Sequence, residues 1–173
     1  MHSLNELATA LEQPSKPFSQ WQPQHCGELP IIINQQGEWL YGGSKITRIA
    51  MVKLFASVLC KEQDTFYLKT PIEKIAITVH DAPFIIVNWR FEMTEQGQVL
   101  CCVDNLQRTW LVTCEQPLVV QDYQGNDVPY LQLPYGCSAR VSRSVFYQWA
   151  EIAQADKQGY FIQSAGQRFY LNV

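Results

Sequence analysis

One order of elements occurs twice in this chain, and that order leaves few ways to fold it. In the first copy, Pro30-Ile31-Ile32-Ile33-Asn34 and Glu38-Trp39-Leu40-Tyr41 flank Gln35-Gln36-Gly37. Two β-rich runs around a glycine-containing turn mark a hairpin. Gly42-Gly43 breaks the pattern, and Thr47 is read as the cap of a helix running through Leu59, with Met51, Leu54, Phe55 and Val58 on one stripe. Phe66–Lys69 and Glu73–Val79 then form a pair of strands around the Thr70-Pro71 corner. In the second copy, Leu118–Gln121 and Pro129–Gln132 flank Gln124-Gly125-Asn126, and Pro134 to Gly136 is the break. Ser142 caps a helix carrying Val145, Phe146, Trp149, Ala150 and Ala153, which Gly159 ends, and Tyr160–Ile162 and Phe169–Leu171 close the unit. The best local match is Ile46-Thr47-Arg48 against Val141-Ser142-Arg143.

Between the copies lie three further strands, Phe84–Met93, Val99–Val103 and Thr109–Thr113, the first two joined through Glu95-Gln96-Gly97. Before the first copy, Ser3 and Glu6 form a capping box for a short helix with Leu4, Leu7, Ala8 and Leu11 on one face. The proline-rich stretch from Gln13 to Pro30 reads as an ordered loop. The expected fold is therefore α+β: a tandem duplication of hairpin–helix–hairpin units with added antiparallel strands. It divides into an N-terminal α+β domain, 1–82, and a C-terminal antiparallel-sheet domain with one main helix, 83–173. Two unrelated hairpin–helix units are the alternative, since identity outside the short match is negligible.

Composition removes several function classes. Net charge is −3 with 17% charged residues, and no basic tract stands out to neutralise phosphates, so nucleic acid is not an expected partner. The apolar runs are short against the roughly 20 residues of a membrane span. The first residues lack the basic and apolar regions of a signal peptide, which sets the expected location in the cytoplasm. Six cysteines, Cys26, Cys60, Cys101, Cys102, Cys114 and Cys137, without any C-x-x-C, are expected as free thiols, with Cys101 and Cys102 on opposite faces of one strand.

No nucleophile elbow, Walker loop, dinucleotide fingerprint or zincin motif is present. The expectation is a non-catalytic protein with no metal and no cofactor. His2 is terminal, His25 falls in the proline-rich loop, and His80 reads as structural. Gly42-Gly43 is read as a turn, with a phosphate cradle as its alternative. Glu73 heads an apolar strand face with Ile75, Ile77 and Val79, while Lys74 falls on the other face. Its carboxylate needs a partner or contact with water. Arg48 and Arg143 each follow a hydroxyl residue at a helix start. A cation is misplaced there by roughly 0.3–1 kcal/mol. Either an anionic ligand or an internal carboxylate, with Glu73 and Asp81 the candidates, would answer it.

Several strings resemble an uncharacterised bacterial family known as domain of unknown function 1285. They are Cys26-Gly27, Gly37 with Trp39, Gly43 with Ile46 and Arg48, Val52-Lys53-Leu54-Phe55 with Val58-Leu59, and Thr70-Pro71-Ile72-Glu73-Lys74 leading to Asp81-Ala82-Pro83-Phe84. The likeness continues thinly through Pro117, Tyr130, Gly136, Arg140 and Arg143, and the sequence departs from the family around Asp104–Arg108. The resemblance implies a duplicated core, a C-terminal half like pleckstrin-homology folds, a nucleotide-like ligand at the seam of the halves, and a role in signal transduction. The expected ligand-binding set is Arg48, Glu73, Lys74, Asp81, Asn105, Arg140 and Arg143. The expected function is a non-catalytic sensor of a small anion; the alternative is a protein–protein interaction module without a small-molecule ligand.

Overall fold

A computed structural model describes Leu4, Ala8 and residues 20–95 and 97–171. The fold is mostly β, with two six-stranded mixed sheets, one three-stranded sheet and few helices. The predicted helix around Ser3–Leu11 lies outside the described residues except for Leu4 and Ala8, which are helical. Much of the predicted Gln13–Pro30 loop also lies outside them. The chain divides into an N-terminal unit, 1–83 with 135–137, and a C-terminal unit, 84–134 with 138–173.

The N-terminal unit is built from β1 (His25–Ile33), β2 (Trp39–Tyr41), β3 (Ser44–Lys45), α1 (Ile49–Ser57), β4 (Leu59–Glu62), β5 (Thr65–Lys69) and β6 (Glu73–Val79). Its sheet runs β3-β2-β1-β6-β5-β4, and β1 and β6 are parallel. The first strand starts at His25, within the expected loop, and tolerates Pro30 because the β1–β6 register shifts between Glu28 and Ile32. A proline cannot donate to a regular ladder, so it sits at such irregularities. Gly42 and Gly43, both at positive φ, make the two-residue β2–β3 connection. That is the hairpin-turn role rather than a phosphate cradle. Helix α1 stops at Ser57, and Leu59–Glu62 is strand, where the sequence pattern carried the helix on to Leu59. The core holds Ile31, Ile33, Trp39, Phe55, Leu68 and Ile75, with Trp39 and Phe55 rings 6.3 Å apart. Buried Thr70 fixes the β5–β6 corner: its hydroxyl donates to the Glu73 carbonyl at 3.0 Å and accepts from the Glu73 N–H at 3.0 Å. The inserted residues 135–137 complete this unit. A Cβ on Gly136, which has φ +73°, would lie 2.9 Å from the Lys61 carbonyl oxygen. Only glycine allows both that φ and that approach.

The C-terminal unit comprises β7 (Phe84–Thr94), β8 (Gly97–Asp104), β9 (Thr109–Leu111), β10 (Leu118–Tyr123), β11 (Asn126–Gln132), β12 (Ser138–Val141), α2 (Arg143–Ile152), β13 (Gln154–Ala155), β14 (Tyr160–Ser164) and β15 (Gln167–Tyr170). One sheet runs β10-β11-β12-β7-β8-β9, with β12 and β7 parallel; β13-β14-β15 forms the small sheet. Helix α2 ends at Ile152, well before the expected stop at Gly159. Cys101 and Cys102 are both fully buried, because both faces of β8 are covered. All six cysteines are free; Cys26 and Cys114 are exposed. Burial raises the thiol pKa of Cys60, Cys101 and Cys102.

Candidate functional site

The C-terminal unit contains a hollow of about 420 Å³ at the tip of the β10–β11 hairpin and the start of α2. The hairpin turns through Gln124-Gly125, both at positive φ, between the paired residues Tyr123 and Asn126. Alternation along the strands puts Tyr123, Asn126, Val128, Tyr130 and Arg140 on one sheet face, Tyr130 and Arg140 being direct cross-strand partners. Asp127, one residue along, alternates from them in the strand yet also lines the hollow, so the site holds one acidic residue beside its two arginines. Arg140 is half-buried and is held by its neighbours; its guanidinium carbon lies 4.0 Å from the centre of the Tyr123 ring.

Ser142 caps α2 through its hydroxyl, which accepts from the Val145 N–H at 3.4 Å. That bond sets the first helical turn and puts Arg143 and Tyr147 four residues apart, a spacing that brings side chains together on one helix face. Arg143 Nε donates to Tyr147 Oη at 2.9 Å, and the guanidinium carbon is 5.4 Å from that ring's centre. Phe146 and Tyr147 add an aromatic wall, their rings 6.4 Å apart. The hollow thus gathers two guanidinium groups, each braced by a tyrosine, and three aromatic rings. Such a place can bind an oxyanion by charge-assisted hydrogen bonds.

The remaining candidates fall elsewhere, and none of them lines this hollow. Arg48 is exposed and is itself the N-cap of α1, with no side-chain cap bond; Thr47 does not take that role. Among the described residues Arg48 makes no ion pair with Glu73 or Asp81, so the internal carboxylate proposed for it is not realised. Arg143 likewise pairs with a phenol rather than a carboxylate. Glu73 is half-buried at the start of β6, where its backbone is bonded to Thr70. Lys74 is occupied by Glu62 at 2.6 Å and lies 4.4 Å from the centre of the Tyr67 ring. That contact favours the charged forms of both groups, lowering the Glu62 pKa and raising that of Lys74. Asp81 is half-buried in the β6–β7 connection. Asn105 is structural: its side-chain oxygen accepts from the Ile85 N–H at 3.0 Å, and its own N–H donates to the Ile85 carbonyl at 2.8 Å.

The loop where the sequence departs from the family is a structural knot. Buried Asp104 accepts from the Leu106 and Arg108 amides, from Arg108 Nε at 2.8 Å and from Trp110 Nε1 at 3.0 Å. Arg108 lies 3.9 Å from the centre of the Phe84 ring. Among the described residues no group of three or more His, Cys, Asp or Glu could hold a metal, and no helix is long and apolar enough to cross a membrane.

Sequence reasoning reached Arg140 and Arg143 but missed Tyr123, Phe146 and Tyr147. Tyr147 was readable from its spacing to Arg143. Tyr123 was not, because its meeting with Arg140 depends on the register of three strands.

The fold and hollow define a two-unit, mostly β protein with a cationic, aromatic pocket in its second unit. Residues 16–82 match the N-terminal domain of DUF1285, a domain of unknown function, and residues 83–171 match the C-terminal domain of the same family, described as a protein of unknown function. The chain belongs to the DUF1285 family. It is similar to the crystal structure of a DUF1285 family protein from Silicibacter pomeroyi DSS-3, with TM-score 0.90 and 30% identity over 99% of this chain and 96% of that one. A DUF1285 family protein from Shewanella baltica OS155 is similar at TM-score 0.58 and 27% identity, over 71% of this chain and 91% of that one. No curated protein matches the sequence.

Proposed function

We propose that this protein is a non-catalytic sensor that binds a small anion in the hollow of its C-terminal unit. The observation that carries this reading is the convergence of Arg140 and Arg143, each set against a tyrosine, on one cavity of about 420 Å³. Bracing lowers the entropy lost when a long side chain engages a ligand. A signalling role in the cytoplasm is the accompanying reading, drawn from the family resemblance. So is a tandem origin of the two units, which the order strands–helix–strands in each supports. A pleckstrin-homology-like relation of the C-terminal unit rests on its largely antiparallel sheet and single main helix.

The test is a thermal-shift titration with inorganic phosphate and pyrophosphate. A ligand held at ten to a hundred times its dissociation constant stabilises by about 1.4–2.7 kcal/mol. The shift should appear in the unaltered protein and vanish in Arg140→Ala/Arg143→Ala. A shift that survives both substitutions would place the anion elsewhere.

A further inference from the structure

Resting on the anion-binding reading of the hollow, we propose that the anionic group it takes is the carboxylate of a small zwitterion, an amino acid with an apolar body, whose ammonium is met by Asp127. Arg140 is held by its neighbours, with its guanidinium carbon 4.0 Å from the centre of the Tyr123 ring, and forms a wall of the hollow. Arg143 spends its Nε donor on Tyr147 Oη at 2.9 Å. That bond braces the side chain and leaves the Nη fork, the edge of a guanidinium that matches the oxygens of a carboxylate.

The negative side of the hollow is Asp127, whose ladder partner is Asp122. Like charges directly across a ladder destabilise it. Among the described residues neither aspartate makes an ion pair, and none joins Asp127 to Arg143. A cation brought beside Asp127 relieves the repulsion, whereas a second negative charge adds to it. One hollow therefore presents a cation and an anion that do not neutralise each other, which suits a ligand carrying the opposite of each. Val128 and Phe146 also line it and are half-buried, so an apolar body can cover the surface they still expose. The volume of about 420 Å³ falls in the roughly 300–1,000 Å³ range of small-molecule sites.

Calorimetric titration of the full chain with three probes tests this. Phenylalanine carries both charges, 3-phenylpropionate only the carboxylate and phenethylamine only the ammonium, and the shared ring cancels in the comparison. Phenylalanine should bind roughly fivefold more tightly than 3-phenylpropionate, the upper scale of one exposed ion pair, and more tightly than phenethylamine. Asp127→Asn should bring phenylalanine to the affinity of 3-phenylpropionate without weakening the latter. Arg143→Ala should weaken phenylalanine and 3-phenylpropionate and leave phenethylamine as it was. Equal affinity for phenylalanine and 3-phenylpropionate, or a difference that survives Asp127→Asn, overturns the zwitterion while the anion-binding reading stands. Phenethylamine binding as tightly as phenylalanine overturns the carboxylate at Arg143. Binding of none of the three overturns this inference alone, because the phosphate titration decides the anion-binding reading separately.

Discussion

The N-terminal and C-terminal units each lead a three-stranded meander into one helix and out into a second meander, β1-β2-β3-α1-β4-β5-β6 and β10-β11-β12-α2-β13-β14-β15. In the first unit the last strand pairs with the first along a parallel ladder from His25–Glu73 to Ile33–Val79. In the second, β15 packs against β10 but belongs to a separate small sheet, and β12 takes β7 as a parallel neighbour. The same order of elements closes one sheet and extends the other with β7, β8 and β9. The helix starts differ too. Arg48 is a bare N-cap, whereas Ser142 caps α2 and leaves Arg143 at the first helical position, bonded to Tyr147. Both arginines are exposed, and a one-residue shift in the cap separates a bare N-cap from an arginine bonded to a tyrosine at the edge of a hollow.

The largest effects should come from the two cores. Phe55→Ala in the first unit and Trp149→Ala in the second each remove a fully buried ring, and each should cost about 3–5 kcal/mol in urea unfolding. A loss below about 1 kcal/mol for either would mean that its unit packs otherwise.

The buried polar pins come next, and they should differ between units. Asp104→Ala strips acceptors from two amides, an indole and a partly exposed guanidinium. It should cost about 3 kcal/mol, the low end for a broken buried pair because Arg108 keeps access to water. Thr70→Val removes neutral hydrogen bonds at the other corner and should cost about 1–2 kcal/mol. The reverse order would contradict the roles assigned to them.

The helix starts predict a smaller contrast. Ser142→Ala should destabilise by about 1 kcal/mol, the usual worth of a cap. Thr47→Ala should change stability by no more than a few tenths of a kcal/mol, the usual scale of a surface change. Equal losses would show that Thr47 also caps its helix in solution.

The smallest contrast lies in the acid limb. Lys45 and then Asn34 hold the Glu38 carboxyl below its ordinary pKa, and the Gln158 amide, with Tyr170 and Arg168, does the same for Asp156. A depressed folded value means stability that is present above the unfolded carboxylate pKa, about 4, and is lost as pH falls through the folded value. Carbon-detected NMR titration should find both midpoints below the ordinary range. An ordinary midpoint for either would mean that its contacts do not persist.

The turn around Gly125 and the cap at Ser142 were legible in the sequence because each is a local device with a fixed residue preference. Strands β4 and β12 were not. Leu59-Cys60 continues the apolar pattern of α1, so nothing local separates helix end from strand start. Ser138–Val141 is short and becomes a strand through partners on both sides, β11 and β7. The site follows the same division. Arg48 and Arg143 stood out as charges at a helix start, of which only Arg143 lines the hollow; Arg140 came from the family resemblance, and Tyr123 joins them only through pairing distant in sequence. Lys74 and Asn105 carried the right chemistry but meet Glu62 and Ile85, contacts set by strand pairing and a turn that no local pattern specifies.

The central claim is that the anion site belongs to the helix start of the second unit and not to that of the first. An amide-resolved NMR titration with inorganic phosphate, run on the unaltered protein, Arg48→Ala and Arg143→Ala, tests it directly. Shifts should concentrate at Tyr123, Arg140, Arg143 and Tyr147, persist in Arg48→Ala and disappear in Arg143→Ala. Shifts centred on Arg48 and its helix, lost in Arg48→Ala and retained in Arg143→Ala, would contradict it.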